Sequence, residues 1–182
     1  MNTSSHAPPW SLRRIYHVDD MQIAQLADVL VNCVQGGASV SFMLPLTHER
    51  AEEFWRDVAH SVAAKKRALL IAEDAHGVCG TVHLVLDQPE NQPHRADVSK
   101  MLVHQRVRRQ GLGAALMHAV EEMARDCHKS VLVLDTATGG DADRLYERMG
   151  WQRVGDIPHY ALFPQGESCS ATFFYRHIAP RG

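Results

Sequence analysis

Three kinds of residue in this chain are spaced so that they could do chemistry. The first is the cluster Arg108-Arg109-Gln110-Gly111-Leu112-Gly113, which runs into a stripe formed by Leu112, Ala115, Leu116, Ala119, Val120 and Met123. The stripe has helical spacing, so the two glycines stand at a helix entrance. There the free N–H groups and the helix dipole favour an anion, and glycine lets a ligand approach the backbone. Between Arg95 and Arg109, five basic residues (Arg95, Lys100, Arg106, Arg108 and Arg109) face one acid, Asp97, a formal sum of +4 in a chain whose net charge is −2. A phosphate-bearing ligand is the expected partner. The dinucleotide fingerprint lacks its third glycine, since position 116 is leucine, and the Gly-Lys-Ser/Thr of the nucleotide P-loop is missing too. The second kind is a pair of carboxylates, Asp97 and Asp135, and the third is a tyrosine, Tyr146.

The elements that must position these residues follow from pattern. Residues 1–10 read as a disordered leader and 11–182 as one domain. Leu12–His17 reads as a strand. Asp19 or Asp20 could cap a helix carrying Met21, Ala24, Leu26, Ala27, Leu30, Val31 and Val34, stopped by Gly36-Gly37. After an apolar loop, Ala38–Leu46, Thr47 can cap a second helix with the stripe Ala51, Phe54, Trp55, Val58, Ala59 and Val62. Leu69–Glu73 and Val78–Leu86 make a hairpin about the turn Asp74–Gly77, and Asp97–Val103 is the next strand. Val131–Asp135 is an unbroken apolar run ending in a carboxylate, which suits a buried strand. Asp141–Met149 is a short helix closed by Gly150. Trp151–Val154 and Ala171–Ile178 are the last strands, with Tyr160–Ser170 a loop. The order β-α-α-β-β-β-α-β-α-β-β gives a single-domain α/β fold, a mixed sheet with helices on its faces.

Composition limits the alternatives. Of 182 residues, 45% are apolar and 22% charged, which excludes a collagen-like, low-complexity or wholly disordered chain. The near-neutral balance argues against a broad electrostatic grip on nucleic acid. No apolar run reaches the roughly 20 residues of a membrane span, and residues 1–10 hold no signal-peptide stretch, so a cytoplasmic location is the default. The four cysteines (Cys33, Cys79, Cys127 and Cys169) form no Cys-x-x-Cys pair and read as reduced thiols. The histidines show no His-x-x-x-His spacing, so no metal is expected.

About 30 residues after the glycine cluster stands Asp143-Arg-Leu-Tyr146-Glu-Arg-Met-Gly150-Trp151. The two motifs, in this order, resemble the GNAT superfamily of acyl-CoA-dependent N-acyltransferases, over about residues 12–178. The resemblance implies a mostly antiparallel mixed sheet with two splayed parallel central strands, here Asp97–Val103 and Val131–Asp135. Acetyl-CoA, a co-substrate, would lie in the cleft between them. Main-chain groups of Met101, Leu102 and Val103 would hold the pantetheine arm and polarise the thioester carbonyl. The diphosphate would sit on the Arg108-Arg109-Gln110-Gly111-Leu112-Gly113-Ala114 entrance, and Tyr146 would be the general acid toward the departing thiolate. Many relatives carry an asparagine before the short helix; here the stretch is Thr138-Gly139-Gly140-Asp141, and that contact is not carried over. Gly36-Gly-Ala-Ser-Val40, Arg95-Ala-Asp97-Val and Leu134-Asp135-Thr136 are similar to the tabtoxin-resistance acetyltransferase group, which acts on an amino-acid-like toxin.

Transfer to an amine requires the neutral amine, yet an alkylamine of pKa about 10.4 is neutral at only a few parts in ten thousand at pH 7. A base at the cleft recovers part of that cost. Asp135 and Asp97 are the candidates. The alternatives are that Asp135 caps the following loop and that Asp97 pairs with Arg95 or Lys100. The oxyanion donor would be a main-chain N–H near Leu102 or Val103. Ser39, Phe42, His159 and Tyr160 could line the acceptor pocket, and each could equally pack against its neighbours. The expected activity is acetyl transfer to a small-molecule amine, with antibiotic resistance as one such role, no nucleic-acid or membrane partner, and a homodimer left open by the family's habits. A protein or peptide N-acetyltransferase and a non-catalytic CoA-binding module are the competing readings.

Overall fold

The computed structural model describes residues 8–179, so the leader reading for residues 1–7 lies outside the described residues. Trp10 already packs, half-buried, against the core. The chain runs β1 (Ser11–Ile15), α1 (Asp20–Gln35), α2 (His48–Ala63), β2 (Arg67–Asp74), β3 (Gly77–Val85), β4 (Arg95–Val103), a 3₁₀ turn (Gln105–Val107), α3 (Leu112–Asp126), β5 (Val131–Ala137), α4 (Asp141–Arg148), β6 (Gln152–Leu162) and β7 (Ser168–His177). This is the order read from the sequence.

Local chemistry accounts for the helices. Asp19 caps α1 through a full capping box: its side chain accepts from the Gln22 N–H while the Gln22 side chain accepts from the Asp19 N–H. Thr47 accepts from the Arg50 N–H at the head of α2. Leu26, Ala27, Leu30 and Val34 of α1 and Ala51, Trp55, Val58 and Val62 of α2 are buried against one face of the sheet. Leu112, Leu116, Met117, Val120 and Ala124 of α3 are buried against the other. Met21, placed on the α1 stripe by spacing, is 68% exposed. None of the described helices is long and apolar enough to cross a membrane.

The seven strands form one sheet in the order β1-β2-β3-β4-β5-β7-β6. Every neighbouring pair is antiparallel except β4 and β5. That parallel ladder holds only Arg95–Val131, Ala96–Leu132 and Asp97–Val133. Beyond it the strands part. A break in register between Thr81 and His83 of β3, opposite Lys100 at φ 51°, bends β4 away from β5.

The last hairpin differs from expectation. The stretch read as a loop, Tyr160–Ser170, is mostly strand: β6 continues to Leu162 and β7 begins at Ser168. As the edge strand, β6 is exposed along almost its whole length, so it carries no alternating apolar signal. It tolerates Pro158 within the second of its two breaks in register, between Ile157 and Ala161.

A buried ion pair ties three elements together. Arg176 Nε of β7 lies 2.9 Å from Glu121 Oε1 of α3, and Arg176 Nη1 donates to the Met149 carbonyl after α4. Glu121 is 5% exposed, so removing it strands a half-buried guanidinium. Glu121→Ala should lower stability by about 2–4 kcal/mol, read from urea unfolding as a lower midpoint at unchanged slope.

Candidate functional site

Where β4 and β5 part, a cleft of about 1000 Å³ opens. It runs from the first loop, over Gly36–Ser41, past β4 to the entrance of α3 and the first turns of α4. Because the ladder stops at Asp97–Val133, the β4 edge beyond that point has no β5 partner. Such an edge can bind an extended ligand by main-chain hydrogen bonds. Met101, Leu102 and Val103 line the cleft there. The Val103 carbonyl already accepts weakly from Arg108 Nε at 3.3 Å and from the Cys33 thiol at 3.5 Å.

The entrance of α3 is built for an anion. Gly111 is its N-cap at φ 82°, and no side chain caps the helix. The conformation is one that glycine adopts without strain, and a Cβ there would meet nothing within 4 Å, so the space in front of the helix is open. Gly113 brings the helix close to α4: a Cβ on it would lie 3.3 Å from Leu145. Arg108, Arg109, Gly111, Leu112, Gly113 and Ala114 all line the cleft, whereas Gln110 does not; its side chain donates instead to the Arg106 carbonyl.

The basic island inferred from the sequence is redistributed. Arg95 pairs with Asp97, and Arg106 forms two bonds to Asp74, with its Nε 2.9 Å from Oδ2. Two arginines of α4 outside that island, Arg144 and Arg148, join Arg108 and Arg109 around the cleft. Their spacing of four residues puts them on one helix face, which was the available signal. The uncapped N–H groups, the open glycine and this arginine ring give the entrance the chemistry of an anion site. Among the described residues no group of three or more His, Cys, Asp or Glu could hold a metal ion.

The three candidate catalytic residues occupy different positions. Tyr146 lines the cleft from α4 and is 4% exposed, its ring against Trp151 and Phe174 at centroid distances of 5.9 and 5.8 Å. Burial, and after it the Asp135 charge, raise its pKa, so the phenol holds its proton throughout the working range. Asp135 lines both this cleft and a second cavity of about 430 Å³, which β4, β5 and Phe173 also border. Desolvation raises its pKa, the Lys100 ammonium opposes that, and the Asp97 charge adds to it. Asp97 lines only the second cavity. Both of its oxygens are engaged, one by Arg95 and the other by Gln88 Nε2 at 3.0 Å.

The acceptor candidates separate as well. Ser39 lines the cleft, but its hydroxyl donates to the Leu162 carbonyl at 2.9 Å. Phe42 stacks edge-on against Phe54 at 5.3 Å. His159 is exposed on β6 and bonded to Ser168 Oγ. Tyr160 packs against Phe173, which borders the second cavity. Lys100, a member of the basic island, lines the cleft, half-buried. Its ammonium donates to Ser41 Oγ at 3.1 Å and lies 5.8 and 5.5 Å from the ring centres of Phe42 and Phe54.

Comparison with known proteins agrees with this geometry. Residues 65–153, from just before β2 to the start of β6, match the model of the acetyltransferase (GNAT) domain. Human N-acetyltransferase 8 is 36% identical over 87 residues, which are 47% of this chain and 38% of that protein. The chain thus spans well under half the length of that relative. The acetyltransferase candidate YncA of Salmonella typhimurium, solved with its cofactor acetyl-CoA, superposes with a TM-score of 0.76 at 17% identity, covering 96% of each chain. A candidate phosphinothricin N-acetyltransferase superposes with a TM-score of 0.76 at 18% identity, covering 93% of this chain and 99% of that one. At these identities the likeness is one of fold, and the fold is the single-domain GNAT fold.

Proposed function

We propose that this chain, which carries the GNAT fold and matches the GNAT acetyltransferase domain over residues 65–153, is an acetyl-CoA-dependent N-acetyltransferase acting on the amine of a small molecule. The observation that carries this reading is the meeting, in one cleft, of an unpaired β4 edge and an uncapped, arginine-ringed helix entrance. Acetyl-CoA bound there would supply an acetyl group already activated as a thioester.

The chain's own groups then have distinct tasks. The free edge of β4 at Met101–Val103 orients the extended arm, and a main-chain N–H near Leu102 or Val103 stabilises charge growing on the carbonyl oxygen. Asp135, open to both cavities, accepts the proton of the attacking amine, directly or through one water. Tyr146, kept protonated by burial, donates a hydrogen bond to the sulfur as it gains charge. Asp97, bound to Arg95 and Gln88, shapes the second cavity and biases Asp135 through its charge.

A small acceptor is supported by the way the cleft mouth is bridged. Ser39 Oγ donates to the Leu162 carbonyl and the Leu44 N–H to the Pro164 carbonyl at 3.0 Å, tying the first loop to the β6–β7 hairpin. A peptide would need that end open. The likeness of the first loop and of the Arg95–Val98 and Leu134–Thr136 stretches to the tabtoxin-resistance group points the same way. The test is thiol release from acetyl-CoA over a panel of amino acids, polyamines, aminoglycosides and peptide N-termini. Release with at least one small amine is the expected result; release with peptides alone, or with nothing, contradicts it.

A further inference from the structure

Three basic side chains, on β4, the 3₁₀ turn and α4, are paired with carboxylates. Arg95 has Asp97, Arg106 has Asp74 and Arg144 has Asp141. Two half-buried cations lie on the α2 face. Lys100 has Ser41 Oγ and two aromatic faces, and Arg67 donates to His83 Nε2 at 3.0 Å; among the described residues neither has a carboxylate within ion-pair distance. His83 is fully buried between them, and among the described residues its Nδ1 has no partner. Acting as acceptor toward Arg67, the imidazole is neutral and cannot itself offset either charge. A half-buried ammonium facing a cleft with only a hydroxyl and two rings as partners is undercompensated.

The position of Lys100 says what would compensate it. It stands on β4 just before Met101–Val103, away from the arginine-ringed entrance that would take the diphosphate. It feels the Asp135 charge across the parted strands. The cleft therefore presents a carboxylate on β5 and an ammonium on β4, opposite charges on its two walls. We infer that the acceptor amine also carries an anionic group, a carboxylate or another oxyacid, and that Lys100 is the specificity-determining residue that receives it while Asp135 faces the amine. This rests on the transferase reading. Burial and then the Arg67 charge push the Lys100 pKa down to about 8, and a bound anion would raise it again. Phe42 and Phe54 hold the ammonium by its faces and leave its remaining donors to the ligand. Polyamines and aminoglycosides, which bring only positive charge, are disfavoured by the same field.

The test compares acceptors that differ in one charge. L-glutamate, L-methionine and L-phenylalanine are each paired with their C-terminal amide, and kcat/KM for acetyl transfer is measured in wild type, Lys100→Met, Lys100→Arg and Lys100→Glu. The members of a pair differ in amine basicity, so the readout is the change in the acid-to-amide ratio between proteins, where that difference cancels. The ratio should fall by about ten- to a hundredfold in K100M, stay close to wild type in K100R, and fall furthest in K100E. Melting curves of all four proteins report folding. A ratio in K100M within about threefold of wild type overturns the inference. So does a wild type that acetylates polyamines, amides or peptides but none of the three acids. If CoA binds by calorimetry and no amine at all is acetylated, the transferase reading falls, and this inference with it.

Discussion

Asp135→Asn should lower kcat/KM for the acceptor by about a hundred- to a thousandfold near pH 7, with folding and CoA binding retained. The amide keeps the size of the carboxylate and loses its basicity. Among the described residues Asp135 pairs with no other side chain, and it is exposed where β4 and β5 part, so the exchange strands no buried partner and stability should change little. The pH profile makes the assignment specific. The Asp135 pKa is raised, chiefly by desolvation, and a base works only when deprotonated. Wild-type kcat/KM should therefore rise with pH through that elevated carboxyl pKa, and fall again as pH drops below it. In D135N the acid-side step should vanish, leaving the ionisation of the amine itself. An undiminished rate with an unchanged acid limb would remove Asp135 from the chemistry.

Tyr146→Phe should lower kcat by about ten- to a hundredfold at nearly constant KM for acetyl-CoA. Phenylalanine keeps the ring between Trp151 and Phe174, so the core at α4 stays packed and melting should move little. What is lost is the phenol donor of a residue that lines the cleft, needed most when the sulfur carries charge. A loss confined to the transition state lowers kcat and kcat/KM together. The raised pKa of Tyr146 places its ionisation far above the working range, so Y146F should leave the acid limb unchanged, unlike D135N. Because the phenol is a weaker acid than a thiol, its service is hydrogen-bond donation more than complete proton transfer. Full activity in Y146F would assign the tyrosine to packing alone.

How far the sequence could be read depended on the kind of signal each part left. The helices were legible because their stripes and caps are local: Asp19 with Gln22, Thr47 with Arg50, and Leu112 through Met123. The anion entrance was legible because Gly111, Gly113 and the arginines are contiguous in the chain. β6 was not, because an exposed edge strand with a proline and two breaks in register has no apolar alternation to display. The partners of the charged residues were not either. Arg106 reaches Asp74 across 32 residues, and Ser39 reaches Leu162 across 123; such pairings depend on tertiary geometry. Lys100 was counted in the basic island, but its turn toward Ser41, Phe42 and Phe54 follows from the bend in β4, which no residue type announces. Arg144 and Arg148 reach the cleft only through the packing of α4 against the α3 entrance, which the sequence of α4 does not display.

The seating of a diphosphate at the α3 entrance is tested most directly by calorimetric titration with CoA and, separately, with pantetheine, which has the same arm and no diphosphate. CoA should bind and release heat, pantetheine should bind at least about tenfold more weakly, and Arg108→Ala with Arg109→Ala should bring the two affinities together. No heat from CoA, or equal affinity for CoA and pantetheine, would contradict the account.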